Sequence, residues 1–228
     1  SPGHYHPKLR VLSLDIETSM DASTIYCISV YAEDFSKTFV VSKKDVKRAE
    51  ACRDEEDMLK KFKQAVKEYD PDIITGWNLI DFDLRILRER FDHFKIPFDI
   101  GRGNERATIR INENFLEDST ADVPGRAVLD GMVLLRISFI GLSDYKLQTA
   151  AEEILGDSKL KIFNELDKGE EIERQFKEEP AKLAEYNLKD AELVIKILEK
   201  KGIIDLTIQR SLLTGMELER VKASIASL

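Results

Sequence analysis

Short apolar runs rich in β-branched residues, separated by polar breaks, occupy the first part of the chain, and this pattern is typical of β-strands. Three of these runs follow one another, at residues 9–17, 24–32 and 37–41. Because only a few polar residues separate them, we predict that they pair as an antiparallel meander. Two further short apolar runs, at residues 72–76 and 127–129, predict two more strands.

Apolar residues that recur every three or four positions predict amphipathic helices elsewhere in the chain. One helix is predicted over residues 54–69, where the Asp70-Pro71 step ends it, and a second over 81–94. The stretch 98–126 is predicted to be irregular, apart from a short strand at 107–111. Further helices are predicted from residue 131 onward and at 145–155, 169–178, 181–200, 204–214 and 217–228.

The order of these elements predicts an α/β fold, in which a mixed β-sheet is flanked by helices. No internal repeat and no low-complexity linker divides the chain. We therefore predict one domain over residues 8–202, followed by a C-terminal helical extension over residues 203–228.

Composition and charge narrow the class of protein without identifying it. Hydrophobic residues make up 43% of the 228 residues and charged residues 34%, which suits a globular chain rather than a disordered one. The net charge of −8 argues against a protein that coats nucleic acid, but it is compatible with an enzyme that holds one strand end. Cys27 and Cys52 lack the spacing of a zinc site and indicate a reducing compartment. The sequence shows neither a signal peptide before the first strand nor an apolar run that could span a bilayer, so no membrane partner is expected.

Two carboxylates share one face of the first predicted strand. Asp15 and Glu17 are two positions apart, so their side chains leave the strand on the same side. One interpretation is an ordinary solvent-facing pair. The other is a cation site, because like charges at this separation repel each other unless a cation lies between them.

A third carboxylate is distinguished by the helical stripe on which it lies. Steps of four from Asp83 reach Leu87 and Phe91, whereas the same steps from Asp81 reach charged residues. We predict that Asp81 faces solvent or caps the helix and that Asp83 faces inward. The alternative is that Asp83 is itself the helix cap.

A tyrosine and a fourth carboxylate lie one turn apart on the predicted helix 181–200. Tyr186 and Asp190 share a mostly apolar stripe with Leu183 and Val194. A partly exposed helix edge is the alternative interpretation of this stripe. Because each of the four acids is predicted on the apolar side of its own element, a compensating positive charge is expected among them. The natural candidate is a pair of divalent metal ions, which indicates phosphoryl chemistry.

The acidic segments resemble the three motifs of the 3′–5′ exonuclease domain of family B DNA polymerases, which belongs to the DEDDy group of ribonuclease H-like exonucleases. The motifs stand here as Asp15-Ile16-Glu17, Asn78 to Asp83, and Tyr186 to Asp190. The similarity extends well beyond the motifs, to residues 69–78, 125–130 and 146–156. Phrases that look closest to the bacterial members of the family occur at residues 6–10, 82–85 and 97–102.

The resemblance implies a ribonuclease H-like mixed β-sheet flanked by helices and an enzyme that acts on DNA. The implied reaction is hydrolysis of the terminal phosphodiester at a 3′ end, with release of a nucleoside monophosphate. Two Mg²⁺ or Mn²⁺ ions would be held by the four acids of the motifs, Asp15, Glu17, Asp83 and Asp190. Asp15 would bridge both ions, and Tyr186 would orient the attacking water. A core tyrosine is the alternative role for Tyr186.

Three further residues are assigned to the substrate. By resemblance, Asn78 and Phe82 would contact the frayed terminal nucleotide, although Phe82 could equally be a core residue. Arg102 begins a basic stretch, residues 102–110, that suits phosphate contacts, and an ordinary solvated face is the alternative. The charged run 165–179 is interpreted as solvated surface.

The resemblance also implies partners and location. The expected substrate is single-stranded DNA or a primer 3′ end, and a polymerase domain is expected in the parent chain, in the bacterial cytoplasm at the nucleoid. Residues 203–228 resemble the lead-in to a polymerase palm, although no polymerase motif occurs in this chain. Two other functions stay open: a non-catalytic module that docks DNA or a polymerase, and a 3′–5′ exoribonuclease with the same acids and tyrosine.

Overall fold

The structure is a computed structural model that describes residues 8–112, 118–156 and 168–221. At its centre is a six-stranded mixed sheet with the strand order β4-β3-β2-β1-β5-β8, and β6 pairs separately with β7. The strands are β1 (Val11–Thr18), β2 (Ile25–Ala32), β3 (Phe35–Val41), β4 (Glu50–Cys52), β5 (Ile73–Gly76), β6 (Thr108–Arg110), β7 (Thr120–Asp122) and β8 (Ala127–Asp130).

The pairing of the strands confirms the predicted fold class. The first three strands form the predicted antiparallel meander. β5 pairs parallel with β1, and β8 pairs parallel with β5. The carboxyl ends of β1, β5 and β8 therefore lie at the same edge of the sheet, and residues that follow these strands can meet there.

Two three-residue strands were not predicted. β4 pairs with the outer side of β3, and β7 pairs with β6, which is the strand predicted at residues 107–111. Strands this short contain too few apolar positions for an alternating pattern to show.

The helices flank the sheet close to the predicted ranges. The described helices are α1 (Glu55–Tyr69), α2 (Arg85–His93), α3 (Gly131–Ile137), α4 (Leu147–Leu155), α5 (Lys168–Glu178), α6 (Pro180–Lys200) and α7 (Ile203–Thr214). The predicted helix 81–94 differs in its first turn, because residues Ile80–Leu84 form a single π-helical turn before α2 begins. The predicted helix 217–228 lies largely outside the described residues.

Alternate side chains of β1 point to opposite faces of the sheet, and the two faces have different surroundings. Leu12, Leu14 and Ile16 are buried in one cluster with residues of α1 and α2. The opposite face of β1 is covered by α6, which lies across β1, β2 and β3. Asp15 and Glu17 occupy odd-numbered positions, so they point toward α6 and not into the apolar core.

α7, in the C-terminal part of the chain, packs against the core that α6 helps to form. Ile203, at the start of α7, is buried in one cluster with Val194 and Leu198 of α6. The division into a domain at 8–202 and an extension at 203–228 stays a prediction. Among the helices of the described ranges, none is both long enough and apolar enough to cross a membrane.

Candidate active site

Three carboxylates meet where the end of β1 faces α6. Asp15 and Glu17 come from β1 and Asp190 from α6, and one oxygen of each lies within 4.8 Å of the others. Glu17 is only 5% exposed, and Asp15 and Asp190 are half-buried. The geometry excludes the interpretation of Asp15 and Glu17 as an ordinary solvent-facing pair.

The fourth predicted acid lies beside this cluster rather than within it. Asp83 is 2% exposed, and its Oδ1 accepts a hydrogen bond from the backbone N–H of Ile16 at 3.0 Å. Asp83 is therefore attached to β1, between the two acids of that strand, and does not serve only as a helix cap. Asp81 is exposed, as its charged stripe predicts.

Local backbone geometry sets the position of Asp83. Asn78 has a φ of 55°, in the left-handed region that asparagine tolerates better than most residues. In the π-helical turn that follows, the N–H of Leu84 donates to the carbonyl of Leu79 at 2.8 Å. Such a turn contains one residue more than an α-helical turn and often occurs at functional sites. A regular helix starting at residue 81 would place Asp83 differently.

β5 approaches β1 closely at this edge of the sheet. A Cβ atom on Gly76 would lie 2.7 Å from the carbonyl oxygen of Leu14, which directly precedes Asp15. Only glycine fits this contact without a shift of the backbone. The segment that leads to Asn78 is thereby held against the strand that carries the first two acids.

Burial raises the pKa of each carboxyl group at the site. The pKa of Glu17 rises to about 7 and that of Asp190 to about 6, in both cases chiefly because the charged form is desolvated. The pKa of Asp15 is raised by burial and then by the charges of the other three acids. Burial also raises the pKa of Asp83. A cation among these groups would counter both the desolvation of the carboxylates and their mutual repulsion.

Lys168 also reaches the cluster, and the sequence did not predict this. Its Nζ lies 3.8 Å from Oε1 of Glu17 and 5.3 Å from the centre of the Tyr186 ring. Desolvation lowers the pKa of this ammonium group, but the carboxylates, Glu17 first among them, more than reverse the effect. Lys168 itself is exposed, as predicted for the run 165–179, but Ile172 and Gln175 of this run are buried, so the interpretation of the whole run as solvated surface is corrected at these two residues. A lysine in a charged run carries no local signal that it faces a site.

Tyr186 keeps its proton at neutral pH. Burial raises the pKa of its phenol far above 10, and the charges of Asp190 and Glu17 add to this. The phenol makes a side-chain hydrogen bond with Asp190, which lowers the pKa of that carboxyl against the larger effect of burial. The phenol of Tyr186 therefore donates its hydrogen bond to Asp190, and its oxygen can accept a further hydrogen bond.

Asp130 is a further buried carboxylate that the sequence did not assign to the site. It is the last residue of β8 and is 7% exposed, and its Oδ1 accepts a hydrogen bond from the N–H of Val133 at the start of α3. Burial raises its pKa, against hydrogen bonds from backbone N–H groups that include those of Leu79 and Ile80. Asp130 thus connects β8 to the segment that carries Asp83.

An open cleft of about 620 Å³ lies above the acids. Asn78 and Phe82 are in its wall, and Phe82 also packs against the main apolar cluster, so it is partly a core residue. The indole of Trp77, which also lines the cleft, donates a hydrogen bond to the carbonyl of Tyr145 at 2.9 Å. Contact of Asn78 and Phe82 with a substrate stays a prediction.

Arg102 does not lie at this cleft. Its guanidinium donates to Oδ1 of Asp70 and to Oδ1 of Asp72, each at 2.8 Å. Both aspartates precede β5, whereas Asn78 follows it, so Arg102 is at the opposite edge of the sheet from the acids. The structure therefore assigns Arg102 to the fold, and its predicted contact with a substrate phosphate at the site is corrected.

The sequence matches the family model of the exonuclease domain of family B DNA polymerases over residues 1–150. The chain belongs to this family of exonuclease domains. The matched range contains the first two acidic motifs, and Tyr186 and Asp190 lie beyond it.

Curated relatives extend the similarity over almost the whole chain. The chain is 32% identical to DNA polymerase II of Escherichia coli, over 98% of this chain and 29% of that protein. It is 29% identical to a DNA polymerase of Thermococcus sp. strain GE8 and 28% identical to one of Desulfurococcus sp. strain Tok, in both cases over 95% of this chain. These alignments cover 13% and 28% of the two archaeal proteins. The chain thus spans less than a third of the length of these relatives, and the resemblance found in the sequence is confirmed.

The residues present fit a divalent metal ion. The cluster offers only carboxylate oxygens, which are the ligands that hard cations such as Mg²⁺ and Mn²⁺ prefer. Burial raises the pKa of Glu17 and Asp190 although Lys168 is close, and a bound cation would favour their charged forms. The donor set and its electrostatics therefore agree with the predicted type of cofactor.

Proposed function

We propose that this chain is a 3′–5′ exodeoxyribonuclease domain, which hydrolyses the terminal phosphodiester of single-stranded or frayed DNA and releases nucleoside monophosphates. The observation that carries the proposal is the convergence of Asp15, Glu17 and Asp190 at one side of an open cleft, in a chain of this polymerase family. Clustered, desolvated carboxylates are unfavourable for the fold alone, which supports a chemical role for them.

In this proposal, the acidic residues would hold two divalent ions. Asp15, Glu17 and Asp190 would hold one ion, and Asp83, with one oxygen held by the N–H of Ile16, would help to hold the second. When bound, Mg²⁺ or Mn²⁺ would stabilise the negative charge that develops on the attacking and leaving oxygens.

The other residues of the cleft would bind and orient the reactants. Tyr186, whose phenol donates a hydrogen bond to Asp190, would orient the attacking water by accepting a hydrogen bond from it through the phenolic oxygen. Asn78 and Phe82 would contact the terminal nucleotide, and the ring of Phe82 offers a face on which a base can stack.

The relatives support a proposal for the substrate and the setting. We propose the 3′ end of a DNA primer as the substrate, because the relatives are DNA polymerases. Since this chain spans 29% of the Escherichia coli relative, we also propose that it acts beside a polymerase domain in a longer protein, with residues 203–228 leading into the palm. A bacterial cytoplasm, at the nucleoid, is the location that fits this role.

A nuclease assay tests the proposal. DNA strands labelled at the 5′ end, single or annealed with a matched or frayed 3′ terminus, should be shortened from the 3′ end with Mg²⁺ or Mn²⁺ and not with EDTA. Frayed ends should be shortened faster than matched ends, because only a strand that leaves the duplex can enter the cleft. Equal rates on RNA of the same sequence would favour an exoribonuclease, and no shortening of any strand would favour a docking module.

We expect Tyr186→Phe to slow the reaction about tenfold at saturating metal concentration, because it removes one hydrogen bond to the reacting water and no metal ligand. The measurement is the single-turnover rate on single-stranded DNA across pH 6 to 9. Since the phenol keeps its proton, the shape of the pH profile should not change. Loss of an ionisation from the profile would instead assign Tyr186 the role of a base.

A further inference from the structure

α6 places a second polar side chain against the acidic cluster, one position after Tyr186. Asn187 is completely buried, and its Nδ2 donates a hydrogen bond to Oδ2 of Asp15 at 2.6 Å. This contact joins the helix that carries Asp190 to the strand that carries Asp15 and Glu17. No sequence pattern singled out Asn187, because it is absent from the acidic pattern of the motifs.

The amide of Asn187 is satisfied at one end only. Its Oδ1 is buried and has no hydrogen-bond partner among the described residues. A buried carbonyl oxygen without a donor is unfavourable, and an apolar side chain of the same size would avoid it. If the amide were reversed, its oxygen would instead face the carboxylate oxygen of Asp15. The NH₂ group, rather than packing, is therefore the reason for an amide at this position.

The hydrogen bond restricts the carboxylate of Asp15. The terminal torsion of an aspartate is broad, so the strand backbone alone does not fix the plane of the carboxylate. Anchoring Oδ2 to a buried donor on α6 limits rotation about this torsion and directs the carboxylate relative to Glu17 and Asp190, with which it shares the cluster.

We infer that Asn187 is a positioning residue of the metal site, which holds the carboxylate of Asp15 in the orientation that lets it share a divalent cation with Glu17 and Asp190. The inference rests on the proposed function and adds to it a residue outside the acids and the tyrosine. Donors that orient metal ligands in this way commonly affect metal affinity by one to two orders of magnitude.

The test is the affinity of the full chain for Mn²⁺, measured by isothermal titration calorimetry without DNA. Asn187→Leu keeps the size of the side chain and removes the donor, and we expect Mn²⁺ to bind at least about tenfold more weakly. Gln175→Leu is the matched control. Gln175 is also completely buried with an unpartnered carbonyl oxygen, but its Nε2 donates to Glu171, away from the acids. The affinity of the Gln175→Leu variant for Mn²⁺ should stay within about twofold of that of the unmodified chain.

The outcomes separate this inference from the proposed function. If Asn187→Leu does not fold, Asn187→Ser replaces it, since the shorter hydroxyl cannot span the same distance and the same weakening is expected. Equal Mn²⁺ affinity in a folded Asn187 variant and the unmodified chain overturns the inference alone. Equal weakening in the Gln175 control also overturns it, because general loosening of the packing would then be the cause. A failure of the unmodified chain to bind Mn²⁺ overturns the proposed function and the inference together.

Discussion

Replacement of Asp15 or Asp190 by alanine is expected to lower the rate of mononucleotide release from single-stranded DNA by at least about 10³-fold. Each substitution removes one of the three clustered carboxylates. Bound metal ions contribute several kcal/mol of charge stabilisation to a phosphoryl-transfer transition state, and about 4 kcal/mol corresponds to about 10³-fold in rate. The measurement is the single-turnover rate with saturating Mg²⁺, quantified as released mononucleotide.

The fold should survive both substitutions, because each removes a like charge from a buried group of acids. For Asp190→Ala, thermal unfolding without metal ions is expected at or above the temperature of the unmodified chain, whereas for Asp15→Ala the loss of the acceptor of Asn187 offsets this gain. Asp81→Ala is the matched control, since Asp81 lies in the second motif but is exposed, and its rate should stay within about twofold. If release were unchanged in both Asp15→Ala and Asp190→Ala, the cluster could not be the catalytic site.

Without metal ions, the protein is expected to be more stable at pH 5.5 than at pH 8, by about 3 kcal/mol. The folded chain holds protons on Glu17 up to about pH 7 and on Asp190 up to about pH 6, whereas their ordinary pKa values are 4.5 and 3.8. The folded state therefore binds more protons than the unfolded state in this range, and stability falls as the pH rises through the folded-state values. The two groups together retain protons over about two pH units above 5.5, at about 1.4 kcal/mol per unit.

Urea denaturation at pH 5.5, 6.5, 7.5 and 8, in EDTA, measures this slope. Glu17→Gln should reduce the change in the free energy of unfolding with pH. Glu185→Gln should leave it unchanged, because Glu185 is exposed on α6. Mn²⁺ at about 100 times its dissociation constant should restore about 2.7 kcal/mol at pH 8, since it binds the ionised acids of the folded chain. Stability that increases from pH 5.5 to 8 in EDTA would contradict the raised pKa values of the acids.

Much of the site could be predicted because its parts are local patterns. The two-residue period of β1 places Asp15 and Glu17 on one face, and the helical period places Tyr186 and Asp190 one turn apart. The stripe through Leu87 and Phe91 distinguished Asp83 from Asp81, and Asp83 is buried. The meander and the longer helices followed from the same periods, whereas the three-residue strands β4 and β7 did not, because they contain too few positions to show one.

The family, the α/β class and the face that each acid occupies on its own element could therefore be predicted from the sequence alone. Which of these faces meet could not, because that depends on how the elements pack in the folded chain. The tertiary structure placed Asp83 beside the cluster, brought Lys168 and Asn187 to it, and put Arg102 at the opposite edge of the sheet. The physical reason is that a periodic pattern sets the direction of a side chain within one helix or strand. The distance between side chains on different elements depends instead on how those elements pack.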